Sequence, residues 1–346
     1  EVIRREMRQL EGGWYDAAAI NRSKTRIDRL GFFDEVNVET PAVPGSTDQV
    51  DVNFTVKERP TGNLMLGAGF SSSESIVLSA SIAQQNLFGS GNSLSLGLNT
   101  SKSSRTLALS FTNPYYTVDG VSLGWDLYHR TYDPTDFNTV SPYKTVSTGA
   151  GLRLGWPIAE DDQINFGLTA DQTKITTYVD SPRLYQDFCK DFGCSGPQAA
   201  AGIGEVSVSS LLLTVGWSRD SRDSFIYPRK GVYQRVYGEV TVPAGDLRYG
   251  KLGYQYQHWF PIGRDYALML NADVGYAKGF GGKEVPFYKN YYVGGIGSVR
   301  GFDQGTLGPK FTDTDGDITS TGGTRKLVTN AEFFFPMPGA GSDRSF

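Results

Sequence analysis

A glycine-rich stretch towards the C-terminal end holds the residues with the clearest chemical potential. It is Gly294-Gly295-Ile296-Gly297-Ser298-Val299-Arg300-Gly301-Phe302, with four glycines in the eight residues from 294 to 301. Glycine lets backbone pack closely and adopt positive φ, so the stretch can carry a cationic side chain on a tightly folded hairpin. The chemistry on offer is ion pairing and hydrogen bonding by a guanidinium. A flexible surface loop with its arginine in water fits the stretch equally well, so the surrounding elements must decide.

Other residue groups give no support for catalysis or cofactor binding. His129 and His258 are the only histidines and lie in different predicted strands, which argues against a histidine triad or a multi-histidine metal site. The segment 313–317, Asp-Thr-Asp-Gly-Asp, resembles a calcium loop only superficially, since its glycine is early and Thr324 stands where a bidentate glutamate belongs. We interpret it as an acidic surface turn. No metal, no cofactor and no enzyme activity are expected.

The two cysteines form a separate candidate site. Cys189 and Cys194 lie close together in a polar segment. Their spacing fits no common metal motif, and we favour a loop disulfide in an oxidising compartment over two free thiols.

Composition favours a β-rich protein with polar residues at alternate positions. Aromatic residues make up 13%, and 42 of the 346 residues are glycine, yet mean hydropathy is −0.32 and only 39% of residues are hydrophobic. No apolar run approaches the roughly 18 residues of a membrane-spanning helix. A net charge of −4 and a pI near 5.4 argue against nucleic acid as the main ligand. No signal peptide is visible, and we interpret the N-terminus as a cut through a longer precursor.

The first sixty residues predict a small α+β module. Apolar residues at helical spacing predict a helix over 2–10, and a second helix should run from an Asp16 cap through Leu30, with Gly31 ending it. Alternating segments over 33–40 and 50–56, joined by a Pro-Gly turn, predict a hairpin.

Beyond a charged joint at 57–60, the hydrophobic period is two. The first such segment places Leu64, Leu66, Ala68 and Phe70 on one face and Asn63, Met65, Gly67 and Gly69 on the other. One face of these segments suits lipid and the other suits water. Twelve strands are predicted, at 63–72, 75–84, 92–100, 105–113, 121–132, 144–156, 163–178, 206–218, 231–242, 249–260, 266–278 and 326–335.

The connections between these strands sort into two length classes. Alternate connections are short and turn-like, at 88–91, 113–116, 157–160 and 261–264, whereas those at 179–207 and 279–325 are long. A soluble β-sandwich would alternate too, but its connections would not sort in this way. Short turns on one side and long loops on the other are typical of a transmembrane antiparallel β-barrel in an outer membrane.

Several motifs resemble the BamA superfamily of outer-membrane insertases. Val299-Arg300-Gly301-Phe302 matches the motif of a loop that folds back into the barrel lumen in that family, and 290–292 and 308–310 around it fit as well. Residues 4–12 and 30–33 resemble the last POTRA repeat of the family without its first strand. The resemblance covers nearly all of the chain. It implies a POTRA domain over 1–60 and a barrel over 61–346 with twelve of sixteen strands present, the C-terminal four being absent.

The resemblance also implies roles for particular residues. On the last predicted strand, alternation turns Glu332 inward, so it is our candidate partner for Arg300, with a solvated lumen carboxylate as the alternative. The first strand, Asn63 to Phe70, should form a weakly sealed lateral seam with the last strand of the barrel. Gly67 and Gly69 would weaken its pairing, although glycine at a barrel corner would look the same.

The expected function is folding and inserting β-barrel proteins into the bacterial outer membrane, with the POTRA part in the periplasm. The implied partners are unfolded outer-membrane proteins, outer-membrane lipid and periplasmic lipoproteins. We expect the lipoproteins to dock near Glu11, although a merely solvated helix explains that residue equally well. A two-partner secretion or TamA-like transporter shares the motifs and stays open as an alternative, and a passive porin is a third.

Overall fold

The computed structural model describes residues 2–71, 75–134, 142–159, 161–224, 228–263, 266–295, 297–312 and 318–335. The N-terminal module contains helices α1, Val2–Arg5, and α2, Ala17–Leu30. The prediction for α2 is confirmed. The Asp16 carboxylate accepts a hydrogen bond from the Ala18 N–H at 2.8 Å, and Gly31 ends the helix with φ 71°.

The prediction for α1 is wrong in length, because the helix ends at Arg5 and not at Leu10. Beyond that point the Arg8 N–H donates to Ser23 Oγ of α2 at 2.7 Å, and the Gln9 side chain accepts from the Asp16 N–H at 3.0 Å. The bond from the Arg8 N–H to α2 replaces the backbone hydrogen bond that this group would make in a longer α1.

The predicted hairpin is present, and its strands are β1, Phe33–Glu39, and β2, Asn53–Glu58, in antiparallel register with Val36 opposite Val56. The second strand starts later than predicted. Ile20 and Ile27 of α2 are buried together with Val36 of β1. The apolar stripe of α2 therefore forms the core of the module with the hairpin.

The remaining strands follow the order of the chain. All twelve predicted barrel strands are present and form one antiparallel meander, whose ends within the described residues are the strands Gly62–Ser71 and Arg325–Phe334. The barrel strands and the small strands between them are β3 Gly62–Ser71, β4 Ser75–Gln84, β5 Ser93–Thr100, β6 Ser104–Asn113, β7 Ser122–Tyr132, β8 Tyr143–Pro157, β9 Asp162–Thr177, β10 Ser195–Gln198, β11 Ile203–Asp220, β12 Gly231–Val242, β13 Tyr249–Ile262, β14 Tyr266–Gly279, β15 Lys310–Thr312, β16 Ile318–Ser320 and β17 Arg325–Phe334.

The twelve barrel strands form the wall of the barrel, and the two faces of this wall differ as the alternation predicts. Leu252 of β13, Val274 of β14 and Leu327 of β17 are exposed on the outer face. On the inner face, Arg153 forms an ion pair with Asp126, and the Tyr128 hydroxyl donates to Asp171 at 2.6 Å. An apolar outer face and a hydrogen-bonded polar inner face are what a barrel in lipid requires.

None of the helices in the described ranges is both long and apolar enough to span a lipid bilayer.

The long connections contain structure that the sequence did not predict. Helix α3, Arg183–Asp191, lies between β9 and β10, and β15 and β16 form a small hairpin between β14 and β17. Tyr185 of α3 is fully buried and stacks on Phe287 with ring centroids 3.8 Å apart, while Tyr143 of β8 packs edge-on against both. The two distant loops therefore share a hydrophobic core with residues of the strands β8, β9, β11 and β13. The predicted acidic turn at 313–317 lies outside the described residues.

The N-terminal module contacts the barrel at a charged junction. The Glu6 side chain is buried, and Arg26 Nη2 lies 2.7 Å from Glu6 Oε2 and donates to the Tyr115 hydroxyl at 3.1 Å. The Arg5 guanidinium lies over the Tyr115 ring, 4.4 Å from its centroid. Burial, followed by the neighbouring Glu6 carboxylate, raises the pKa of Tyr115, which lies in the turn between β6 and β7. This junction fixes the module against one side of the barrel.

Candidate functional site

The long connection between β14 and β17 returns to the inner face of the wall. Its two limbs are joined by antiparallel bridges between Tyr291 and Gly323 and between Val293 and Leu307. The tip of the connection, which is the turn that carries Ser298 and Arg300, contacts β17. There the Asn330 side-chain amide donates to the Ser298 carbonyl at 2.8 Å. The connection is therefore a folded hairpin-like structure held to the wall.

Arg300 and Glu332 meet at this tip. Arg300 Nη2 donates to Glu332 Oε1 at 2.8 Å, and the side chains are 66% and 23% exposed. The structure shows one hydrogen bond instead of the two parallel bonds expected for a guanidinium fork. A single charge-assisted bond with one exposed partner orients the tip but stabilises it less than a dry, bidentate pair would.

The glycines let the tip turn tightly. Gly294, Gly295 and Gly301 have φ of 126°, 90° and 86°, a region where side chains are strained. Ser298 Oγ accepts from the Gly294 N–H at 2.8 Å and donates to the Gly294 carbonyl at 3.0 Å. A side chain at Gly294 would collide with the Asp303 carbonyl. The close approach of the two limbs therefore depends on glycine.

The other residues of the motif are less engaged. Phe302 remains 53% exposed, so its ring packs little against the lumen. Val299 is half-buried. Sequence reasoning missed Ser298 and Asn330, although Asn330 has the same inward alternation as Glu332 and could have been found from that signal.

The predicted seam strand is β3, and β4 is its pairing partner among the described residues. Its outer face is strongly exposed, with Leu66 and Phe70 at 74% and 82%. The two glycines differ in their surroundings. A Cβ at Gly67 would lie 2.5 Å from Ser79 Oγ, whereas a Cβ at Gly69 would meet no atom within 4 Å. A side chain at Gly67 would therefore force the Ser79 hydroxyl to move, whereas one at Gly69 would not.

Glu11 lies on the surface of the N-terminal module. It pairs with Arg4 at 2.8 Å, with the two side chains 83% and 76% exposed. Leu10 and Trp14 beside it are also highly exposed. Because α1 ends at Arg5, Glu11 lies in the turn before α2 and not on a helix as expected.

The cysteines are joined. Cys189, buried on α3, forms a disulfide with Cys194, which follows the helix. The disulfide closes a short loop at the C-terminal end of α3, next to the aromatic core of the long connections. Within the described residues, no three His, Cys, Asp or Glu side chains lie close enough to hold a metal ion.

Comparisons with known proteins agree with this architecture. A family model for the Omp85 superfamily domain matches residues 86–346, and a POTRA model, described as a surface antigen variable number repeat, matches residues 1–59. The outer membrane protein assembly factor BamA of Neisseria meningitidis serogroup B is 42% identical over 347 residues, covering 100% of this chain and 43% of that protein. The chain therefore spans less than half the length of this relative.

Solved structures give the same result. The crystal structure of BamA from Haemophilus ducreyi lacking POTRA domains 1–3 superposes with a TM-score of 0.81 at 32% identity, covering 98% of this chain and 65% of that one. CdiB from Acinetobacter baumannii superposes with a TM-score of 0.55 at 15% identity, covering 96% of this chain and 57% of that one. The second likeness is one of fold alone.

Proposed function

The chain belongs to the Omp85 superfamily, and we propose that it is the barrel-bearing part of an assembly factor that folds and inserts other β-barrel proteins. The barrel lies in the bacterial outer membrane and the POTRA segment in the periplasm. The observation that carries the proposal is the long loop bound to the inner face of β17 through Arg300, at the motif Val299-Arg300-Gly301-Phe302. The relative with 42% identity is named an assembly factor, which supports the same activity here.

The proposed mechanism uses β3 as a lateral template. A strand with an open edge offers unpaired N–H and C=O groups, and an incoming strand can pair with them by β-augmentation. We propose that the seam opens here because Gly67 and Gly69 give β3 little side-chain packing. The internal loop would keep the rest of the wall in shape while the seam is open.

The proposed partners follow from the two environments. Unfolded outer-membrane proteins would meet β3, and lipid would contact its exposed outer face, including Leu66 and Phe70. We propose that periplasmic lipoproteins of an assembly complex dock around Glu11, whose exposed carboxylate lies close in the chain to the exposed side chains of Leu10 and Trp14. An aromatic anchor beside a charge is typical of protein interfaces.

A reconstitution experiment tests the activity. The intact protein in lipid vesicles should accelerate insertion of a urea-denatured β-barrel substrate, measured as protease-protected and heat-modifiable product. Vesicles with an equal amount of a porin are the control. Insertion no faster than in that control, together with steady single-channel conductance, would favour the porin.

The seam is tested by a matched pair of glycine variants. Gly69→Val adds a strand-favouring side chain where no atom lies within 4 Å, so the barrel should fold with a firmer β3 and insert substrate several-fold more slowly. Gly67→Val collides with Ser79 and should lower heat resistance instead. Insertion by Gly69→Val at the wild-type rate would contradict a role for β3 in opening.

A further inference from the structure

Tyr291 has an environment that the motif does not account for. It lies in the first limb of the long loop, nine residues before Arg300, and the sequence gives it no chemical role. In the structure its ring lies against the inner face of three wall strands, β13, β14 and β17. The contact is separate from the ion pair at the tip.

The ring occupies a notch that exists because Gly275 has no side chain. A Cβ built on Gly275 would lie 2.7 Å from Cζ of Tyr291, closer than real contacts allow. Gly275 lies on the inner face of β14, since its neighbours Val274 and Tyr276 are exposed outside, and it pairs with Lys326 of β17. The notch therefore opens towards the loop and fits a flat ring.

Two cations flank the ring. Lys251 Nζ of β13 lies 4.3 Å from the ring centroid, and Lys326 Nζ of β17 lies 5.4 Å from it. Both ammonium groups are also held in place, because Lys251 donates to the Lys289 carbonyl at 2.8 Å and Lys326 to Asp273 at 2.6 Å. Both ammonium groups attract the face of the ring by cation–π interaction, and the nearer one attracts it more strongly. An aromatic side chain therefore fits the notch by its charge distribution as well as by its shape.

The backbone of Tyr291 ties the limbs of the loop together at the same level. Its N–H donates to the Gly323 carbonyl at 2.8 Å, and its carbonyl accepts from the Gly323 N–H at 2.9 Å. The hydroxyl donates a long bond, 3.4 Å, to the Leu252 carbonyl and also faces the side chain of Tyr237 on β12. The shortest hydrogen bonds of Tyr291 are those of its backbone, and its ring fills the notch at Gly275.

From these contacts we infer that Tyr291 is a positioning residue, the root anchor that sets where the Val299–Phe302 tip meets β17. With the root fixed, the tip can occupy only a small volume next to Glu332 and Asn330. With the root released, the Arg300–Glu332 and Asn330–Ser298 bonds have to hold a longer free segment, whose closure costs more entropy. The inference deepens the proposed function, on which its importance for insertion rests.

The test measures tip position directly. In a background with Cys189→Ser and Cys194→Ser, the pair Ser298→Cys and Asn330→Cys should be cross-linked by a short bifunctional thiol reagent, because the Ser298 carbonyl lies 2.8 Å from the Asn330 amide nitrogen. Adding Tyr291→Ala should lower the cross-linking rate at least fivefold. Tyr291→Phe keeps the ring and should stay within twofold of the reference.

Two further variants separate anchoring from general damage. Gly275→Val should fill the notch and mimic Tyr291→Ala, whereas Gly97→Val is its matched control, a barrel glycine with no atom within 4 Å of the added Cβ. Lys251→Met removes one cation without touching the tip and should give an intermediate loss.

Equal cross-linking rates in Tyr291→Ala, Lys251→Met and the reference would overturn the inference, and so would equal losses in Gly275→Val and Gly97→Val. Cross-linking is read without any substrate. Failure of the reference protein to insert substrate would therefore count against the proposed function and leave the anchor result standing.

Discussion

Arg300→Ala tests how strongly the tip of the loop is held. The substitution removes one hydrogen bond of 2.8 Å to Glu332 and leaves the bond from Asn330 to Ser298 in place. Breaking a dry, buried ion pair costs about 3–5 kcal/mol. An exposed pair contributes about 0–1 kcal/mol. Because Arg300 is 66% exposed and Glu332 only 23%, we expect the substitution to destabilise the folded tip by about 1 kcal/mol, the upper end of the surface range.

A loss of this size corresponds to roughly a fivefold rise in the population of displaced tip. Hydrogen exchange reports that population, since the Gly294 N–H is protected by Ser298 Oγ only while the tip is folded. The Gly294 amide in Arg300→Ala should therefore exchange about fivefold faster, with the barrel still heat-modifiable. Assembly of other outer-membrane proteins should fall moderately.

Controls make the result specific to the pair. Lys310→Ala removes an exposed charge elsewhere in the same loop and should leave the Gly294 amide unchanged. The double variant with Arg300→Glu and Glu332→Arg should recover part of the protection, because it restores the opposite charges. Unchanged exchange in Arg300→Ala would refute the ion pair as a support, and a hundredfold increase would refute the assignment of a wet pair.

Three further predictions concern the loops and the N-terminal module. Asp246 accepts hydrogen bonds from the Ser209 N–H and hydroxyl, which lower the pKa of its carboxyl group. The stability that Asp246 adds is therefore present at neutral pH and is lost as the pH falls below the ordinary pKa of 3.8. Protection of the Ser209 amide from hydrogen exchange should fall in that pH range in wild type and should already be low at neutral pH in Asp246→Ala. The Cys189–Cys194 disulfide should block labelling by a membrane-impermeant thiol reagent until reductant is added. Insertion activity should survive reduction. Labelling of the cysteines without reductant would contradict the disulfide. Glu11→Lys should weaken co-purification of a periplasmic partner while heat-modifiability is unchanged, and unaltered recovery of every partner would count against docking at this site.

Local sequence determined much of this architecture, because its causes act over a few residues. The Asp16 cap and the Gly31 stop define α2, and the two-residue period defines every barrel strand, since the wall separates an apolar outside from a polar inside. The same alternation on β17 was enough to turn Glu332 inward and to nominate it as the partner of Arg300.

Tertiary structure decided whatever depends on residues far apart in the chain. Helix α1 stops early because Ser23 of α2 takes the Arg8 N–H, and α3 exists where its Tyr185 can stack on Phe287, about a hundred residues away in a second loop. The notch for Tyr291 requires Lys251, Gly275 and Lys326 from three strands, which no periodicity brings together. Solvent access to Arg300 likewise follows from how the loop packs, and this access sets the strength of its bond to Glu332.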